Sequence, residues 1–134
     1  MITIKDYLTA SGKYPDREHH PEVTPQLLEN ATKLLIAVNS LLDDLGIFTA
    51  KVSSGFRPSD VNAATPGSAK KSAHLSGLAI DLEDPDGKLD ELISMCDPLK
   101  KKYGLWQEDP AKTVHWAHID QVARTPRAEN TFKP

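Results

Sequence analysis

One stretch limits the architecture more than any other. Between Thr24 and Gly46, the residues Leu27, Leu28, Ala31, Leu34, Leu35, Val38, Leu41, Leu42 and Leu45 recur at steps of three and four. That spacing draws a single apolar stripe along a helix of 3.6 residues per turn. Thr24 supplies an N-cap, and Pro25 falls where a helix has no use for an amide hydrogen. Val23 and Leu28 are spaced to pack across the cap as a staple. Gly46 suits the left-handed residue that closes a helix. The sequence therefore predicts a helix over 25–45. The stripe ends after about three heptads, short for a coiled coil, so it packs on a sheet instead.

The rest of the chain supplies that sheet. Leu78-Ala79-Ile80-Asp81-Leu82 reads as a buried strand. Leu105–Gln107 and Val114–Ile119 read as an antiparallel pair across Asp109-Pro110. Ile47–Ser53 reads as a further strand, anchored by Phe48 and Val52. A short helix is expected over 4–10 after the cap Thr3, and a second over 88–102, broken at Pro98. Lys100-Lys101-Lys102 then form a solvated end to that helix. Residues 11–23, with His19 and His20, read as solvated loop, and 59–73 as a polar loop. The tail after Asp120 carries no pattern. The expected fold class is α+β, a small, mostly antiparallel sheet backed by the long helix. One domain spans 1–134, with 1–23 as an N-terminal helix and loop and 121–134 as an irregular tail.

Composition narrows the function. A net charge of −3 and a pI near 5.9 argue against nucleic acid as a partner. The single cysteine, Cys96, excludes both a disulfide framework and a cysteine-based zinc site, and its apolar neighbourhood assigns it to packing. No apolar run reaches the ~20 residues of a membrane span. The first residues do not read as a signal peptide, so the chain is expected to be cytoplasmic as synthesised. It is expected to act as a monomer.

Three segments hold residues that packing alone would not select: Ser54-Gly55-Phe56-Arg57-Pro58, Ser72 to Asp81, and His115 to Asp120. Asp81 interrupts an otherwise buried run, and a buried carboxylate is costly unless it is paired or binds a metal. In a strand it shares a face with small Ala79, opposite Ile80 and Leu82. Gly77 lets the chain turn back sharply, so His74 and Asp81 can converge on one point. His118 shares a face with Trp116 on the last strand. Two histidines and one aspartate make a three-ligand site of the kind that catalytic zinc uses. The same residues also suit a metal-free polar network in which Arg57 partners Asp81.

The pattern Ser72-x-His74-x-x-Gly77-x-Ala79-x-Asp81, followed by Trp116-x-His118, resembles the signature of zinc peptidases that cut bacterial cell-wall peptides. These are the D-Ala-D-Ala carboxypeptidases and phage L-Ala-D-Glu endolysins of the hedgehog/DD-peptidase fold. Ser54-Gly55-Phe56-Arg57 resembles their upstream Ser-Gly-x-Arg segment, and the similarity covers roughly residues 25–120. The resemblance implies one zinc ion per chain, with His74, Asp81 and His118 as ligands. It implies that Arg57 holds a peptide carbonyl, oxyanion or carboxylate, and that Ser72 holds the zinc loop or a substrate carboxylate. Many members carry an acidic general base three residues before the last ligand. Here that position is His115, which reaches the site only if the strand is re-aimed. Glu108 on the preceding strand is the rival base, and both stay open.

The implied function is zinc-dependent hydrolysis of peptidoglycan stem peptides next to a D-amino acid. The implied setting is the cell wall, reached by phage-mediated release or as a virion component. Two other readings remain: a non-catalytic wall-peptide-binding or phage structural module of the same fold, and a zinc-free domain.

Overall fold

The stripe predicted over 25–45 becomes α2, Pro25–Asp44, in the computed structural model, which describes residues 1–134. The Thr24 hydroxyl accepts the Leu27 amide at 3.2 Å and so caps the helix. Leu27, Ala31, Leu34, Leu35, Val38, Leu41 and Leu42 are buried along one face. Each large side chain buried there contributes about 1.5–3 kcal/mol. Val23 packs toward the core, while Leu28 faces outward at 36% exposure and adds little to the stripe.

The stripe meets a five-stranded sheet in the order β1-β2-β4-β3-β5. The strands are β1 (Val52–Ser54), β2 (Ala79–Glu83), β3 (Trp106–Glu108), β4 (Trp116–Asp120) and β5 (Thr131–Phe132). All pairs are antiparallel except β3 with β5. The period of two sorts their side chains. Ile80, Leu82, Ala117 and Ile119 enter the core under α2. Ala79, Asp81, His118 and Asp120 fall on the opposite face. The α+β expectation is met: four shorter helices, α1 (Ile4–Thr9), α3 (Ser59–Ala64), α4 (Lys88–Ser94) and α5 (Asp97–Tyr103), complete the fold. No helix is long and apolar enough to cross a membrane.

Several local expectations give way to non-local contacts. The strand foreseen over 47–53 shrinks to Val52–Ser54, and Phe48 is 71% exposed. Alternation makes a strand only where a partner lies alongside, and β2 offers one only near Val52 and Ser54. The expected loop over 59–73 contains α3, because the Glu22 carboxylate, far away in sequence, accepts the Ser59 amide and hydroxyl. Pro15–His19 forms a 3₁₀ turn inside the N-terminal loop.

The break at Pro98 is complete. Pro98 sits in the first turn of α5, and Cys96 is half-buried at its N-cap, not on a continuous helical face. Lys100 is fully buried and not a solvated cap. Its ammonium reaches Gln107 Oε1 and Asp97 Oδ1, both at 3.0 Å, and Thr131 at 3.3 Å. The tail, expected to be irregular, supplies Thr131 and Phe132 as a strand parallel to β3.

Candidate metal centre

Each functional side chain owes its place to a short-range device and a long-range one. His74 lies in a 3₁₀ turn, Ala73–Leu75, where Ser72 Oγ accepts the His74 amide at 3.3 Å. Ser72 thus holds the turn that presents His74. The chain then reverses at Gly77, whose φ is +79°, a conformation glycine adopts without strain. The far nitrogen of His74, Nδ1, lies 2.7 Å from the Gly55 carbonyl and donates to it. That turns Nε2 toward Asp81, 3.2 Å from its Oδ2. Gly55 can take this position because it has no Cβ: one would run into the Tyr7 carbonyl. Tyr7 is itself buried, and its hydroxyl donates to the Ala79 carbonyl at 3.0 Å.

Asp81 and His118 are direct cross-strand partners on β2 and β4. His118 Nδ1 lies 2.7 Å from Asp81 Oδ1. The two imidazoles meet nearly edge-on, with centroids 5.4 Å apart. One ligand atom each from His74, Asp81 and His118 lies within 4.8 Å of the other two. Two nitrogens and one carboxylate oxygen suit a divalent transition metal, zinc above all, and leave room for substrate.

Burial opposes charge on His118, but hydrogen bonds to Asp120 and Asp81 outweigh it and push its pKa up to about 10. Burial also disfavours the Asp81 anion. Charge and hydrogen bonds from His74 and His118 nonetheless hold its carboxyl well below the usual range.

Asp81, His74 and His118 open onto a cleft of about 540 Å³ that Arg57, Ser72 and Glu108 also line. Arg57 donates to Asn62 Oδ1 at 3.1 Å, and its other amino group stands 4.0 Å from Asp81. Glu108 lies at the end of β3, on the cleft side. Burial raises its pKa, and the charges of Asp81, Asp120 and Asp90 raise it further, against the opposing pull of His118.

His115 is not brought to this cluster. Its φ is +74°, its Nδ1 lies 3.0 Å from the Pro85 carbonyl, and it lines a different cavity, with Asp86 and Asp90. The backbone is twisted at His115, before β4 begins, and the twist aims the ring away from His118. Of the two candidates for the base, only Glu108 shares the cleft.

Asp120, Arg124, Asn62 and Phe132 also line or back the cleft, and the sequence does not single them out. Asp120 had a usable signal: it stands two residues after His118 and so on the same strand face. A second group, His20, Glu22 and Asp60, also gathers three donor atoms, but on the surface. There Glu22 is already engaged in capping α3.

A nitrogen–nitrogen–oxygen donor set opening on a cleft that holds a carboxylate and a guanidinium could hold a divalent metal of the kind that metallohydrolases use. The family model for Peptidase M15 matches residues 15–120, most of the chain, and the protein belongs to that family. M15 peptidases are zinc-dependent metallopeptidases, so a peptide substrate follows from membership. No curated protein and no solved structure matches the chain.

Proposed function

We propose that this protein hydrolyses short peptidoglycan stem peptides next to a D-amino acid, as a carboxypeptidase or an endolysin-type endopeptidase. The observation that carries the reading is the sharing of one cleft by the three donors, Glu108 and Arg57. His74 Nε2, Asp81 and His118 Nδ1 would hold the zinc. Bound there, zinc supplies Lewis acidity, which polarises a peptide carbonyl and acidifies water.

The chain's own groups do the rest. Glu108 takes a proton from the attacking water as the new C–O bond forms. It then passes that proton to the amine as the C–N bond breaks. Its raised pKa suits both roles. Arg57, held by Asn62 and Ser54, offers its remaining N–H groups to the carbonyl oxygen as negative charge develops. The same fork can grip the terminal carboxylate of a stem peptide. Ser72 keeps the His74 turn in place.

The choice of a wall peptide is supported by the Ser72–Asp81 segment and the Trp116-x-His118 pair, which resemble those of wall-cutting zinc peptidases. The place of action is then the cell wall, and the working form a monomer. Digestion of defined muropeptides, read by mass spectrometry with and without a chelator, tests the reading. Chelator-sensitive loss of one peptide bond is expected. A zinc-loaded protein that cuts no stem peptide would make it a binding module instead.

A further inference from the structure

The two metal-facing imidazoles are held from behind by different means. His74 donates its far nitrogen to a neutral backbone carbonyl, that of Gly55. His118 turns its far nitrogen, Nε2, to a carboxylate, Asp120 Oδ2, at 3.2 Å. Asp120 is 1% exposed, and its carboxylate accepts three further hydrogen bonds. Arg124 grips it with both amino groups, Nη1 on Oδ1 and Nη2 on Oδ2, the latter at 3.0 Å. The Val122 amide donates to Oδ1 at 3.1 Å.

Arg124 is fixed in turn. Its guanidinium lies 3.8 Å from the centre of the Phe132 ring and 5.4 Å from that of Trp106. Phe132 belongs to β5, the strand that the C-terminal tail adds beside β3. Phe132 also meets the His118 ring edge-on at 5.8 Å. A chain of packed, charge-paired groups therefore runs from the tail to the back of His118.

We propose that Asp120, clamped by Arg124 and backed by the C-terminal strand, is a positioning residue for the metal. It fixes His118 as the tautomer with its proton on Nε2, so that Nδ1, beside Asp81, is the ligating atom. An imidazole that donates to a carboxylate is a stronger and better-oriented ligand than a free one. The asymmetry makes His118 the ligand most dependent on its support, because a charged acceptor polarises the ring more than the Gly55 carbonyl polarises His74. The proposal rests on the zinc-peptidase reading of the same site.

Zinc affinity, measured by competition with a chromophoric chelator, and ring nitrogen shifts of the zinc-loaded protein together test it. In the wild type, His118 should carry its proton on Nε2, with Nδ1 showing the shift of a metal-bound nitrogen. D120A should bind zinc about 10–100-fold more weakly. D120N, which keeps an acceptor, should recover part of that loss, and R124K, which keeps charge but loses the fork, should fall between wild type and D120A. A merely structural ion pair would change melting temperature without moving the ring nitrogens.

Should D120A fail to fold, the wild-type spectrum and R124K still decide the matter. A wild-type His118 with its proton on Nδ1 would overturn the proposal, as would D120A binding zinc as tightly as the wild type. A wild type with no measurable zinc affinity would overturn the metal centre, and the proposal with it.

Discussion

Two buried polar networks lie on opposite faces of the same sheet. On the core side, Lys100 reaches Gln107 Oε1, and Gln107 donates to the Asp90 carboxylate at 2.6 Å. Thr113 donates to the other oxygen of Asp90. On the cleft side, Asp81 lies between His74 and His118. Both networks bury a carboxylate almost completely. They differ in what faces it. Asp90 meets an amide and a hydroxyl, donors that never give up their protons near neutral pH. Asp81 meets two imidazoles, whose protons a metal can replace. The core network is complete as it stands, with no buried polar side-chain atom left unpaired anywhere in the protein. The cleft network is satisfied only in a form that a metal can take over. A buried charge is therefore weak evidence for a site, and exchangeable partners around it are much stronger evidence.

The contrast is tested most severely by removing one member from each side. Asp81→Ala should abolish zinc binding and activity together, because the other two ligands lose the anion that gathers them. Elemental analysis of the purified variant checks this, and a full complement of zinc would sink the ligand assignment.

Glu108→Gln comes next. It removes a proton acceptor and no ligand, so turnover should drop about 10²–10⁴-fold while zinc content stays at the wild-type level. His115→Gln, in the neighbouring cavity, should turn over muropeptides at the wild-type rate. A dead His115→Gln beside an active Glu108→Gln would reverse the assignment of the base.

Lys100→Met attacks the other face. It strands Gln107 and part of Asp97, and should cost about 2–3 kcal/mol of stability without lowering zinc affinity. Asp97 is 26% exposed, which keeps the loss below that of a fully buried pair. Denaturant unfolding beside a zinc titration separates the two effects. Loss of zinc affinity would show that the networks are coupled through the sheet.

The smallest effect is in pH. In the metal-free protein, His118 is faced by Asp81 from β2, Asp120 and Arg124 from β4 and the tail, Glu108 from β3, and His74 from its 3₁₀ turn. Its folded pKa of about 10 lies above the ordinary 6.5. The stability it adds is therefore fully present below about pH 6.5 and is lost as pH rises toward 10. Asp81 and Asp120 are held below the ordinary carboxylate value, so their share is lost at acid pH instead. Thermal melts of chelator-treated protein should fall by a few degrees between pH 6 and pH 9. Zinc affinity should rise over the same interval, because zinc competes with the His118 proton.

Whatever depends on neighbours along the chain is legible in the order of the residues. The cap at Thr24, the stripe of α2, the reversal at Gly77 and the split at Pro98 are decided within a turn or two of the backbone, where sterics and local hydrogen bonds dominate. The period of two on β2 places Asp81 opposite Ile80 and Leu82, and spacing together with the resemblance to zinc peptidases nominates His74, Asp81 and His118. The rest follows from packing, because it depends on register between segments far apart in sequence. The pairing of β2 with β4 sets Asp81 against His118. The pairing of β3 with β4 brings Glu108 to the cleft, while a positive φ turns His115 away. Lys100 is indistinguishable in sequence from its solvated neighbours, and only the packing of α5 sets its charge between Gln107 and Asp97. The tail carries no pattern because two residues beside β3 are too few to show a period, yet through Phe132 and Arg124 it reaches the back of His118.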